Sequence, residues 1–413
     1  MPKATIKGRT PARKPAAKKA TPAKKKATPK KRDLQVVVNE MKDQLNDSVM
    51  ERNAEVIGLL CALLAGANVF FGGPPGTAKT MLANLLSKMI TGSEFFSWLL
   101  TKFSTPEELF GPYSLAGLKS GQFQRITTGK MPEADISFVD ECFKANSSIL
   151  NALLTILNER QFHNGTSIIE VPTKLTVGAS NELPEDSSLD ALYDRFLLRY
   201  WTSNLAERDN RFKLLRGRAD LTVPTITATM SLEELARAKD EVAQMPFSNS
   251  MVNSVLDLQD AMEREKFYGS DRRWASSIPV LKAYAWLQGA SKVEEDHMMI
   301  YSHIMWRKPE ERAALGKLVA KLANPAAAKA RELLDAAREE YQRVPFGAKP
   351  GSSDVSRVVA ELTDHNMVFT TSLEKLGKLK SCPEVDEALE RVTQMKKETT
   401  RLALELQGLG NLV

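Results

Sequence analysis

Eight consecutive residues, Gly73-Pro74-Pro75-Gly76-Thr77-Ala78-Lys79-Thr80, have the types and spacing for phosphate chemistry. They lie between a short apolar run, Val69-Phe70-Phe71, and a helix-like run from Met81 to Ile90. Backbone N–H groups freed by Gly73 and Gly76 can turn inward and cradle phosphate oxygens, and the next helix offers the same anion its positive end. Lys79 would reach the β- and γ-phosphates, and the Thr80 hydroxyl would hold Mg2+. The general pattern has glycine before the lysine, where this chain has Ala78. About 60 residues downstream the apolar run Ile136–Val139 ends in Asp140-Glu141. Asp140 would hold Mg2+ through its water shell, and Glu141 would orient and polarise an attacking water. A third apolar run, Leu175–Ser180, ends in Asn181, whose amide can bond the lytic water or the γ-phosphate. Together these groups imply hydrolysis of a nucleoside triphosphate.

Such groups meet only if their strands end at one edge of a sheet, the edge where open α/β sheets bind ligands. Candidate strands at 68–72, 94–99, 136–140, 174–180 and 196–202 alternate with helical stretches, which predicts an α/β domain with a largely parallel sheet over 33–203. Its first part, 33–66, reads as two helices, the second ending at Gly66. Residues 204–290 and 291–345 read as helical, and a Gly/Pro/Ser break at 345–353 precedes a helical segment over 354–413. Within it a turn at Cys382-Pro383 would pair the last helix, 384–408, back as a hairpin. Asn164-Gly165 predicts a type I′ hairpin over 161–171.

At 43% hydrophobic and 26% charged, most of the 413 residues can fold as a globular protein. Three scattered cysteines and four histidines argue against a disulfide framework or a zinc site and fit a reducing, cytoplasmic setting. No run approaches the length of a membrane-spanning helix and the first residues lack an apolar h-region, so neither a membrane span nor a secretory signal is expected. The net charge of +6 conceals an asymmetry: residues 1–32 hold 13 Lys/Arg and no acid, which leaves −7 on the other 381. This Lys/Pro/Ala-rich tail offers nothing to bury and reads as disordered. It is either a polycation for nucleic acid through residues 3–32 or a flexible tether.

The order of these parts resembles an AAA+ ATPase of the MoxR family, nearest the RavA-like subgroup. The resemblance is carried by the stretch at 73–80, Thr-Pro-Glu-Glu-Leu-Phe-Gly-Pro at 105–112 and Asp-Glu-Cys-Phe-Lys-Ala-Asn at 140–146. Asn-Ala-Leu-Leu-Thr-Ile-Leu-Asn-Glu-Arg-Gln-Phe at 151–162, Ala-Ser-Asn-Glu-Leu-Pro-Glu at 179–185 and Ala-Leu-Tyr-Asp-Arg-Phe at 191–196 complete it. It covers roughly residues 40–345 and tolerates Ala78. It implies a P-loop core with strand order 5-1-4-3-2, counting along the chain, a helical lid over 204–290, and ATP and Mg2+ as cofactors. It implies Asn181 as sensor 1 and Arg195 as the arginine finger acting on ATP of a neighbouring subunit, with Arg199 the alternative. In Gly-Ser-Asp-Arg-Arg-Trp at 269–274, Arg272 or Arg273 would be sensor 2 and would contact the γ-phosphate of its own subunit. The 161–171 hairpin and the stretch 113–130 resemble family inserts that face a pore, where Tyr113, Phe123 and His163 grip substrate or pack locally.

The function so implied is a ring, a hexamer in the family, that couples ATP hydrolysis to remodelling or activation of a partner protein, often one with a von Willebrand factor A domain. A DNA-associated motor using the basic tail is the alternative, and a scaffold that binds ATP without turning it over is a third. No Asn-Lys-x-Asp motif marks a guanine reader. The chain lacks a strand-rich stretch after 290 such as RavA-type proteins carry.

Overall fold

Val69-Phe70-Phe71 is wholly buried because it runs through the middle of a sheet covered on both faces, the environment that selects near-continuous apolar strands. The structure is a computed structural model and describes residues 32–184, 186–219, 226–346, 355–379 and 381–407. The basic-tail reading falls on 1–32 and so lies outside the described residues but for its last position. Five parallel strands form the sheet: β1 (Val69–Gly72), β2 (Phe95–Leu99), β3 (Ile136–Asp140), β6 (Leu175–Ser180) and β7 (Leu198–Trp201). Their spatial order is β2-β3-β6-β1-β7. Between β3 and β6 stands a separate hairpin, β4 (Gln161–Asn164) with β5 (Ser167–Glu170).

Successive side chains on a strand point to opposite faces. Val69 and Phe71 join one core, with helices α1 (Leu34–Ser48), α2 (Asn53–Ala65) and α3 (Lys79–Met89), while Phe70 joins the other, with α4 (Ser147–Glu159) and α5 (Asp190–Arg195). The first core continues into the helices that follow the sheet. After α6 (Arg208–Ala219) come α7 (Leu232–Ala243), α8 (Asn249–Arg264) and α9 (Asp271–Leu287), and α9 packs across α2. Their starts are written in side chains. Ser231 and Glu234 form a capping box on α7, and Ser248 and Ser270 cap α8 and α9. A 3-10 stretch, Glu295–His303, leads to α10 (Glu311–Ala323).

The chain then forms α11 (Pro325–Gln342), α12 (Val355–Leu376) and α13 (Pro383–Leu406). The expected C-terminal hairpin is α12 and α13, but α11 packs against both. Ala330, Leu334 and Ala337 of α11 share a buried core with Phe369, Leu376, Ala388 and Val392, so the unit is a three-helix bundle. The 161–171 hairpin is present with its turn one residue later than expected. Asn164 pairs with Ser167, so Gly165 and Thr166 occupy the turn and Gly165 takes φ 66°. Asn164 is committed elsewhere, since its amide accepts from Arg125 N at 2.6 Å and donates to Arg125 O at 3.1 Å. Among the described residues no helix is long and apolar enough to cross a membrane.

Candidate active site

Parallel register puts the ends of β1, β6 and β3 side by side, with Gly72 opposite Ser180 and Val139 opposite Gly178. The phosphate loop, Asp140-Glu141 and Asn181 therefore emerge at one edge. Gly73 adopts φ 123°, and a Cβ there would lie 2.1 Å from the Thr202 carbonyl oxygen, so only glycine fits. Gly76 and Ala78 also take positive φ, 79° and 69°. The left-handed turn before Lys79 explains why glycine is general at that position. Alanine accepts a strain on the order of 1 kcal/mol there.

Lys79 opens α3, with Thr80 exposed beside it in the first turn. The Lys79 ammonium donates to the Gly73 carbonyl, to the Pro74 carbonyl at 3.0 Å and to Asn181 Oδ1 at 3.1 Å. Asn181 Nδ2 donates to Glu141 Oε1 at 2.7 Å, and Ser180 Oγ donates to Glu141 Oε2 at 3.4 Å. Lys144 pairs with Glu141 Oε2 at 3.3 Å. Lys79, Asn181 and Glu141 thus form one hydrogen-bonded line, with the Asn181 amide at its centre. Glu141 sits at φ 51°, a left-handed turn that aims its carboxylate back along the sheet edge.

Burial pushes the Asp140 carboxyl above the usual range, against the pull of the Glu141 N–H, and the Glu141 charge adds to the rise while Lys79 opposes it. Burial lowers Lys79, and the two acids oppose that. Two adjacent carboxylates with one of them disfavoured as an anion are suited to a divalent cation, which would reverse the perturbation. Asp140 at the strand end and Thr80 in the first turn of α3 carry oxygen donors of the hard kind such an ion takes.

Sequence reasoning missed what holds the loop in place. Arg52, 5% exposed, donates to Thr77 O at 3.2 Å, to Glu51 O at 2.8 Å and to the Ser203 carbonyl. Thr202 Oγ1 donates to Gly72 O at 3.0 Å and lies 2.7 Å from Thr77 Oγ1. Lys144 stood inside a quoted motif without a role, whereas nothing about the sequence around Arg52 marks it.

The four candidate arginines lie elsewhere. Arg195 ends α5 just before β7, at the end of the sheet opposite the loop, and lines a pocket of about 280 Å3 with Arg272. Ala67 and Asn68, the residues that lead into β1, line the same pocket. The arrangement therefore does not bring Arg272 or Arg273 to the phosphate loop of its own chain, which corrects the expected contact within one subunit. Arg273 is spent inside the protein. It is 4% exposed and donates to the carbonyls of Ile304 at 2.8 Å, Asp194 at 3.1 Å, Phe196 at 3.2 Å and Leu197. Arg199, the alternative finger, is likewise buried, bonded to the Trp306 and Tyr193 carbonyls at 2.7 and 2.9 Å. Arg272 is exposed and Arg195 half-buried. Tyr113 packs locally, with the Arg125 guanidinium 4.1 Å above its ring and Phe123 edge-on at 6.3 Å, while His163 is exposed.

Residues 34–239 match the family model described as the MoxR domain in the MoxR-vWA-beta-propeller ternary systems, and residues 250–319 match an AAA lid domain. An uncharacterised protein of Methanocaldococcus jannaschii is 36% identical over 312 residues, which span 75% of this chain and 82% of that protein. The chaperone MoxR1 of Mycobacterium tuberculosis is 22% identical over 227 residues, 54% of this chain and 57% of its own. A crystal structure from Cytophaga hutchinsonii, described as an inferred ATPase, shares the fold with a TM-score of 0.57 at 19% identity, over 70% of this chain and 94% of its own. The motif residues at one sheet edge and these matches agree, and the chain belongs to the MoxR family of AAA+ ATPases.

Proposed function

We propose that this chain hydrolyses ATP with Mg2+ as one subunit of a ring, hexameric as in the family, and spends the energy on remodelling a partner protein. The observation that carries the reading is the division of the site between two ends of the sheet. Gly73–Thr80, Asp140, Glu141 and Asn181 share one end. Arg195 stands before β7, so roughly 13 Å of strand separates it from the loop end of its own chain. A finger so placed serves a loop on an adjacent copy, and Arg272, beside it, does the same. Arg195 Nε is buried with no hydrogen-bond partner, as expected of a group that finds its partner only on assembly.

In this reading the loop N–H groups and Lys79 bind the β- and γ-phosphates, with Thr80 and Asp140 holding Mg2+. The ion supplies charge neutralisation between those phosphates. Glu141, fixed by Asn181 and Ser180, takes the proton of the attacking water. Arg195 of the neighbour stabilises charge on the departing phosphoryl group. The family model's own description supports a partner with a von Willebrand factor A domain. The motif strings favour the RavA-like subgroup, and the composition favours the cytoplasm.

Arg195→Ala is expected to keep ATP affinity and to lose hydrolysis by about 10³-fold. Wild-type hydrolysis per subunit should rise with protein concentration. Full activity of Arg195→Ala as a dilute monomer sinks the ring reading. Glu141→Gln should bind ATP, stay assembled and retain the partner in a pull-down.

A further inference from the structure

Besides Arg195, Arg272 and Arg273, the pocket at the far end of the sheet is lined by an arginine that the functional reading does not use. Arg160 follows α4 in a left-handed turn, φ 56°, and lines the pocket with Arg195 and Arg272. Its Nη2 donates to Gly66 O at 2.8 Å and approaches Asn68 Oδ1 at 3.4 Å. Its Nη1 is buried with no partner. A guanidinium serving only to cap the end of α2 would place both terminal nitrogens on acceptors, because an unpaired buried donor costs about 1–3 kcal/mol.

The charge balance points the same way. Asp194 is the acid lining this pocket, and its carboxylate already lies 3.6 Å from Arg273 and 3.9 Å from Arg199. That leaves Arg160, Arg195 and Arg272 facing one cavity with no second acid among its described lining residues. Two lysines add to the field. Lys239 places its Nζ beside Gly66, and Lys174 and Arg160 both repel its charge. Three converging guanidinium groups suit an oxyanion of high charge and several acceptor atoms, which is a polyphosphate rather than a single carboxylate.

We infer that Arg160 is a third cation of the subunit boundary, which with Arg195 and Arg272 stabilises the charge that develops on the polyphosphate of the adjacent copy's nucleotide during hydrolysis. The inference rests on the ring reading above, and mixing of variants separates the two. Lys79→Ala subunits lack a working loop but keep the arginine pocket. Arg160→Gln subunits keep the loop and lose the third cation. Each alone should hydrolyse ATP poorly, with Arg160→Gln binding a fluorescent ATP analogue like wild type. Mixed in equal amounts they should regain about a quarter of wild-type activity, the share of boundaries that pair a whole pocket with a whole loop.

The parallel mixture of Lys79→Ala with Arg195→Ala is the control. If it recovers activity and the Arg160→Gln mixture does not, Arg160 has no role across the boundary and the inference falls alone. If neither recovers, the ring reading falls with it. Arg160→Lys, which keeps a charge and the Gly66 contact but not the second nitrogen, serves if Arg160→Gln does not fold. It should lower kcat at least about 5-fold with KM little changed, since lysine cannot replace a forked donor. Unchanged kcat in Arg160→Lys overturns the assignment.

Discussion

Arg52→Met tests the claim that the phosphate loop is held from behind. Methionine keeps the length and apolar stem of Arg52 and removes every donor. The Glu51 carbonyl is local and the adjacent chain is exposed, so water can replace that bond. The Thr77 and Ser203 carbonyls belong to segments distant in sequence, and this side chain ties them together alongside the Thr77–Thr202 hydroxyl contact. The buried Thr77 carbonyl loses its partner at about 1–3 kcal/mol, the bond to the exposed Ser203 adds about 0.5–1.5 kcal/mol, and the buried thioether returns about 1 kcal/mol, which leaves a net loss of about 0.5–3.5 kcal/mol. At about 2 °C per kcal/mol for a chain of this size, the Tm should fall by about 1–7 °C. Because Thr77 lies within the loop, the loss should also appear in binding. ATP affinity is expected to weaken about 10-fold, which is about 1.4 kcal/mol. Differential scanning with and without ATP and Mg2+, paired with titration of a fluorescent analogue, reads both effects. A variant that melts within about 1 °C of wild type and binds ATP normally refutes the reasoning.

Arg273→Met should lower the Tm further than Arg52→Met, because at least four carbonyls lose their donor, and amide exchange at the start of α9 should quicken while ATP affinity of the isolated subunit stays within about 3-fold. Exchange unchanged at α9 would show that Arg273 does not anchor it. Lys239 gives a pH test. Burial, helped by Lys174 and Arg160, lowers it to about 8 from an ordinary 10.5. Between those values the unfolded chain holds a proton that the folded chain has released, so this group makes stability rise with pH across that window. Lys239→Met should flatten the rise between pH 8 and 10 and raise the Tm at pH 7, the gain being on the order of 3 kcal/mol at most. A steeper rise in the variant would reverse the sign of the argument.

The sheet and its loaded edge were legible because both follow from local pattern. Strands buried on two faces read as apolar runs, and Asp140, Glu141 and Asn181 stand at the ends of such runs. What was not legible depends on pairs distant in sequence. Arg52 acts through carbonyls at 77 and 203, and no periodicity connects them. Arg272 and Arg273 are neighbours on one helix, about 100° apart around its axis. Both line the pocket, but Arg272 is exposed while Arg273 is buried on backbone carbonyls, and only packing tells them apart. The Asn-Gly pair marked the hairpin but misplaced its turn by one residue, because the Asn164 amide is claimed by Arg125. The bundle of α11 with α12 and α13 was hidden by the break at 345–353, which reads as a boundary between units.

The carbonyls that grip Arg273 belong to Asp194, Phe196 and Leu197, the residues on either side of Arg195. The start of α9 and the stalk of the finger are therefore one rigid lever. A tilt of the helical region cannot leave the finger behind, and a displaced finger must drag that helix with it. In a closed ring this makes posture contagious. In the ring proposed above, the stance one copy adopts would reach the boundary it shares with the next through this mechanical linkage, with no signal across the nucleotide itself.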